Sequence, residues 1–123
     1  MKTEIFTSLA IALALSIASQ LGLTVALGAH PWWAVKTGVV GSLGGLVAYA
    51  ALRGLGLRPA LVAGFAGIGL LAAGSAASQG KAIFAASMAE NSLAGQFWFF
   101  GWFAVMGAAC VLLCGLATWA LRR

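Results

Sequence analysis

Hydrophobic and polar positions along the chain follow a pattern of long uncharged runs separated by short segments that carry charge, glycine or proline. Several runs approach the roughly 20 residues with which an α-helix crosses a bilayer core. The pattern predicts an all-α membrane protein, with one transmembrane domain over residues 1–123 and four helices in a small antiparallel bundle. The predicted helices span about 5–27, 31–52, 60–78 and 93–121.

The first apolar run follows Lys2 and resembles a secretory signal with small residues near Ser19. The run continues beyond Ser19, and Glu4 is unusual in the charged region of a signal, so we expect a retained first helix. One stripe of this helix is apolar in its first half and polar in its second half, where it reaches Gln20 and Thr24. A primary amide in hydrocarbon needs a partner, so Gln20 is predicted to contact another helix.

The second predicted helix begins at Pro31, a residue that suits the first helical position because its missing N–H would be unpaired there. Small residues at helical spacing form one face of this helix. The members of this face are Ala34, Gly38, Gly41, Ser42, Gly45 and Tyr49. Such a face lets two backbones approach closely, so we predict that it packs against another helix.

A positively charged, glycine-rich turn at 53–59 leads into the third predicted helix, which also has a face of small residues. That face consists of Ala60, Gly64, Gly67, Leu71, Ser75 and Ser78. We expect the second and third helices to form an antiparallel hairpin packed through their small residues, with Gly64 and Gly67 at the contact. The polar segment that follows is predicted to hold a short interfacial helix at about 81–90.

Aromatic residues and positive charges predict how the bundle lies in the membrane. Tryptophan and tyrosine collect where a bilayer meets water. The predicted outer interface is marked by Trp32, Trp33, Trp98 and Trp102, and the opposite interface by Trp119. On one side of the predicted topology lie the basic residues Lys2, Arg53, Arg58, Arg122 and Arg123, against Lys36 and Lys81 on the other. The positive-inside rule then predicts cytoplasmic termini in a multi-pass protein of a bacterial-type inner membrane.

Composition supports the membrane class and excludes others. Hydrophobic residues make up 63% of the chain and charged residues only 7%, whereas soluble domains contain about 25% charged residues. The net charge of +5 comes from scattered residues without a basic face, so we expect no nucleic-acid partner. The expected partners are the lipid bilayer and other membrane subunits or copies of the same chain.

His30 and Lys36 are the first candidates for a site, because ionisable residues in membrane segments are often functional. Lys36 lies opposite the glycine face, about one turn inside its helix, so its ammonium can reach the headgroups. Contact with anionic lipid, an ion pair with a neighbouring protein and a transport role are all open for Lys36. For His30 the alternatives are a hydrated turn, contact with a cofactor and proton gating. Lys36 joins the four outer tryptophans as a predicted lipid or partner contact.

The sequence contains no recognisable catalytic or metal-binding motif. Cys110 and Cys114 share a helix face that could hold a soft ion, but only Met106 lies near them as a third soft ligand. We therefore interpret both cysteines as small packing residues. No nucleophile elbow, phosphate-binding loop or zinc motif is present. The chain is predicted to have no catalytic residue, no metal site and no enzymatic activity of its own, and a bound lipid is the one ligand compatible with this prediction.

These features favour an accessory or assembly subunit of a larger membrane complex, which would contact its partners through glycine-faced helices. The sequence places no acid deep in a helix, and the fourth helix is too aromatic for so small a bundle to cover. The alternative is a homo-oligomeric small transporter or channel, in which symmetry-related copies enclose a pathway. That pathway would be lined by Gln20, Thr24, Ser42 and Ser75.

Overall fold

The computed structural model describes residues 2–29, 33–88 and 92–121, and within these ranges the chain is helical and has no strand. Helix accounts for 90% of this part of the chain. The helices are α1 (Lys2–Gln20), α2 (Leu23–Leu27), α3 (Ala34–Gly54), α4 (Pro59–Ala86) and α5 (Ser92–Leu121).

Four of the helices, α1, α3, α4 and α5, are long and apolar enough to cross a membrane. The most apolar 18-residue stretch of each helix has a mean hydropathy between 1.3 and 2.1. Within the described ranges, the predicted all-helical class and the presence of four membrane-length helices are confirmed. The chain therefore has the helices of a multi-pass membrane protein.

A glycine-containing turn divides the predicted first helix into two. Gly22 has a φ of +105° and Gly28 a φ of +118°, in the left-handed region that favours glycine. These residues end α1 at Gln20 and limit α2 to five residues. The Thr24 hydroxyl donates a hydrogen bond of 2.9 Å to the carbonyl of Ala34, which joins α2 to the start of α3.

Helix α4, which corresponds to the third predicted helix, continues eight residues beyond its predicted end at Ser78, to Ala86. Residues 81–86 are part of this helix, so the prediction of a separate interfacial helix was wrong for them, while 89 and 90 lie outside the described residues. The cause is visible at Gly80, where an added Cβ would stand 2.6 Å from the carbonyl oxygen of Ala94. The bare glycine lets the backbone of α5 approach closely, and this packing holds α4 in helical form.

Helix α5 is the main packing partner of both α3 and α4. Helix α4 packs along α5 and barely touches α3. The prediction that the second and third predicted helices, here α3 and α4, form a packed hairpin was therefore wrong. Ala77 of α4 lies against Gly101 of α5, and Ala63 of α4 lies against Gly115. The sequence predicted close packing between α3 and α4. In the structure each of these helices packs closely against small residues of α5 instead.

Candidate functional site around Glu4 and Arg53

The small-residue face of α3 is a site of close helix approach. A Cβ added at Gly38 would overlap the side chain of Ser19 on α1. At Gly45 it would stand 2.5 Å from the carbonyl oxygen of Gly107 on α5. Gly41 makes a similar approach to α5, and Ser42 beside it is fully buried. These four predicted packing residues therefore lie at helix contacts.

The remaining predicted packing residues lie elsewhere. A Cβ added at Gly64 or Gly67 would meet nothing within 4 Å, because this side of α4 points away from α5. Gln20 is exposed at the end of α1, where the chain turns, so it is not buried against another of the described helices. Ser75 is exposed on α4, whereas Thr24 and Ser42 are buried on α2 and α3. The predicted pathway residues therefore do not share one environment.

The predicted outer tryptophans form an internal aromatic contact. The ring of Trp33 stands edge-on to that of Trp98, with centroids 5.2 Å apart, and Trp102 is only 7% exposed. Trp98 Nε1 donates a hydrogen bond of 3.1 Å to the carbonyl of Gly28. Trp102 is therefore too buried for the predicted lipid or partner contact, whereas Trp98 is half-buried. Lys36 is exposed, as its predicted position requires, and Trp32 and His30 lie outside the described ranges.

An ion pair joins the beginning of α1 to the end of α3. Arg53 Nε donates to Glu4 Oε2 at 2.6 Å and Arg53 Nη2 donates to Glu4 Oε1 at 3.1 Å, which is the two-pronged geometry typical of a guanidinium and a carboxylate. Arg53 Nη1 also donates to the carbonyl oxygen of Leu57 at 2.7 Å. The side chains of Arg53 and Glu4 are 20% and 13% exposed, so this pair is largely removed from solvent.

Tyr49 extends the ion pair into the interior of the bundle. Its hydroxyl donates to Glu4 Oε2 at 2.8 Å and lies 2.8 Å from Thr118 Oγ1 of α5, from which it accepts. Tyr49 and Thr118 are each 2% exposed. A phenol has one proton, so donation to the carboxylate leaves its oxygen to accept from Thr118. Three membrane-length helices thus meet at one polar cluster, which we define as Glu4, Tyr49, Arg53 and Thr118.

A groove of about 400 Å³ between α1 and α3 opens beside this polar cluster. Glu4 and Arg53 lie at one end, while Leu9 and Leu46 line its apolar part. Ser8 also lines the groove, and its hydroxyl is buried without a hydrogen-bond partner. The polar group next to Ser8 is the Cys114 thiol, a weak hydrogen-bonding group.

The two cysteines are fully buried in the apolar core beside the polar cluster. Cys110 and Cys114 lie within reach of each other on α5, and Met106 is buried one turn before them. Across the ranges that the structure describes, no three histidine, cysteine or acidic side chains are grouped as metal ligands.

The polar cluster was not predicted from the sequence, because Glu4 and Arg53 were interpreted separately, as a helix-terminal acid and an orientation charge. One signal was available. Tyr49 and Arg53 are four residues apart and share a helix face, and in an up-and-down pair the start of one helix meets the end of the next. Combining those two facts would have placed Glu4 beside both.

Replacing Tyr49 with phenylalanine is expected to lower the free energy of unfolding by about 1–3 kcal/mol, because the buried Thr118 hydroxyl and Glu4 each lose a partner. The measurement is unfolding by SDS from mixed micelles, followed by tryptophan fluorescence. Thr118→Val removes the other hydroxyl and is the companion variant. An unchanged unfolding midpoint in Tyr49→Phe would show that the hydroxyl contributes nothing to stability.

Comparison of the chain with family models, with curated proteins and with solved structures gave no match.

Proposed function

We propose that the protein is an accessory or assembly subunit of a larger complex in a bacterial-type inner membrane, with both termini in the cytoplasm and its membrane-spanning helices antiparallel. The observation that carries this proposal is the outward face of α4. Gly64 and Ser75 on this face are exposed, and a Cβ added at Gly64 would meet no atom of the described residues within 4 Å. Small residues at such spacing favour close contact between membrane helices.

Two further features support a helix of another subunit as the occupant of this face. The buried residues of α4, among them Val62, Ala66 and Ala77, already face α5, so the outward face is separate from the internal contact. It also presents Ser78 and Gln79, which are exposed beside Ser75. Hydroxyl and amide groups on a membrane helix are commonly satisfied by hydrogen bonds to a neighbouring helix.

The proposed orientation is supported by two observations: which ends of α1 and α3 meet, and where the positive charges lie. Glu4 at the start of α1 meets Arg53 at the end of α3, whereas Ser19 near the end of α1 meets Gly38 near the start of α3. That order is the one expected when two neighbouring helices cross a membrane in opposite directions. Arg58 lies in the connection after α3, at the same end as Arg53, which the positive-inside rule assigns to the cytoplasm.

The test compares two glycines of α4 that are both exposed and both free of neighbours within 4 Å, Gly64 and Gly69. They lie about 140° apart around the helix at 3.6 residues per turn. Purification in mild detergent is expected to recover a membrane partner in fixed stoichiometry with the native chain and with Gly69→Ile. In Gly64→Ile the added side chain holds the partner helix away, so the partner is expected to be lost.

A photo-crosslinking residue placed at position 64 should attach to the same partner, and one placed at position 69 should not. Equal retention in the two isoleucine variants would contradict the proposed surface. Recovery of the chain alone would contradict the accessory role, and recovery as a homo-oligomer would favour the alternative of a small transporter or channel.

A further inference from the structure

The groove between α1 and α3 has hydrogen-bond donors at its polar end that the protein leaves unused. A guanidinium has five N–H groups. Glu4 accepts from two of those of Arg53, Leu57 accepts from one, and the Tyr49 hydroxyl lies beside the guanidinium, so among the described residues at most two N–H groups remain for a ligand. Ser8 is only 4% exposed, and among the described residues its hydroxyl faces the weakly hydrogen-bonding Cys114 thiol and no stronger acceptor. A ligand with oxygen acceptors would satisfy these donors and remove the cost of leaving a buried one unpaired.

Charged, polar and apolar side chains all line the groove, with Ile5 beside Glu4 and with Ser8 and Leu9 farther along α1. Ser8 lies four residues beyond Glu4 on α1, about 6 Å deeper at 1.5 Å per residue. Leu9 and Leu46 line the apolar part. A matching ligand therefore has a charged group, an acceptor oxygen about one helical turn away and a hydrocarbon chain beyond it.

The charge at this end of the bundle favours an anionic ligand. Lys2, Arg53 and Arg58 belong to the segments that meet here, and Glu4 is the one acid among the described residues of those segments. Because Glu4 is already paired with Arg53, the local excess charge is positive. Basic groups near a membrane surface attract anionic lipids.

We propose that this groove binds an anionic phospholipid. The phosphate accepts from the remaining N–H groups of Arg53, an ester carbonyl accepts from the Ser8 hydroxyl, and one acyl chain lies against Leu9 and Leu46. The groove is formed by α1 and α3, so this site is independent of the outward face of α4.

The experiment measures phospholipid retained on the purified full chain by native mass spectrometry, after incubation with phosphatidylglycerol or with phosphatidylcholine. Ala50 lines the groove, whereas Ala48 is an exposed alanine about 160° away around α3. The native chain and Ala48→Phe are expected to retain phosphatidylglycerol in preference to phosphatidylcholine. Ala50→Phe fills the groove and is expected to lose it.

Ser8→Ala is the second variant, because it removes one hydroxyl without adding bulk. Loss of a single hydrogen bond is expected to weaken retention of phosphatidylglycerol by about three- to tenfold. This variant tests the site even where the phenylalanine at position 50 disturbs folding.

Four results would overturn the proposal. They are equal retention by the two phenylalanine variants, equal retention of the two lipids, undiminished retention in Ser8→Ala, and stabilisation of lipid-free protein by inorganic phosphate as strong as that by phosphatidylglycerol. The last result would assign the site to a free anion. Co-purification of a neutral amphiphile such as a quinone in place of phospholipid would also overturn the assignment.

Discussion

Arg53→Met is expected to lower the free energy of unfolding by about 3–5 kcal/mol, because it leaves the Glu4 carboxylate largely buried without its cation. The two side chains are only 20% and 13% exposed, so solvent does little to compensate the lost charge. Methionine keeps much of the length and apolar volume of arginine, which makes the missing charge the main change. The measurement is the SDS unfolding midpoint in mixed micelles, monitored by tryptophan fluorescence.

A double-mutant cycle separates the ion pair from other effects of the substitution. Glu4→Gln together with Arg53→Met removes both charges, so this double variant is expected to be more stable than Arg53→Met alone. Arg58→Met is the matched control, because Arg58 is an exposed arginine at the same end of the bundle. A loss in Arg53→Met no greater than in Arg58→Met would show that the ion pair does not stabilise the fold.

The membrane class and the packing face of α3 followed from the sequence because both depend on local spacing. Uncharged runs of membrane length require no knowledge of tertiary contacts. The spacing of Gly38, Gly41 and Gly45 by three or four residues places them on one side of any α-helix. The structure shows that this side meets Ser19 of α1 and the Phe103–Cys110 region of α5.

The choice of helix partners could not be predicted in the same way. Both α3 and α4 present small residues, and α5 presents Gly101, Gly107 and Gly115 to them. The spacing of small residues indicates that a helix face is suited to close approach. It does not indicate which of the other helices with such a face is the partner. Gly64 illustrates the difficulty, since it belongs to a small-residue face as Gly41 does, while a Cβ added to it would meet no atom of the described residues within 4 Å.

The ends of the helices were predicted less well because tertiary contacts decide them. The break after Gln20 depends on the left-handed backbone of Gly22 and on the hydrogen bond between Thr24 and Ala34. The extension of α4 beyond Ser78 depends on the close contact of Gly80 with α5. Neither contact is expressed in the local periodicity of apolar residues.

Two adjacent glycines of α3 are expected to respond differently to substitution by alanine. A Cβ at Gly45 would stand 2.5 Å from the carbonyl oxygen of Gly107 and 2.8 Å from the Cβ of Cys110, so Gly45→Ala forces α3 and α5 apart. Overpacking of this kind costs about 1–3 kcal/mol. Gly44 is exposed, and a Cβ there would meet nothing within 4 Å.

Gly44→Ala therefore adds a methyl group to the open side of the same helix, where alanine is favoured over glycine by up to about 1 kcal/mol in water. Its unfolding midpoint in SDS is expected to equal or exceed that of the native chain, while the midpoint of Gly45→Ala falls. Because the two substitutions are chemically identical and one residue apart, a difference between them reports the α3–α5 contact alone. Equal midpoints for both variants would mean that α3 and α5 do not approach each other closely at Gly45.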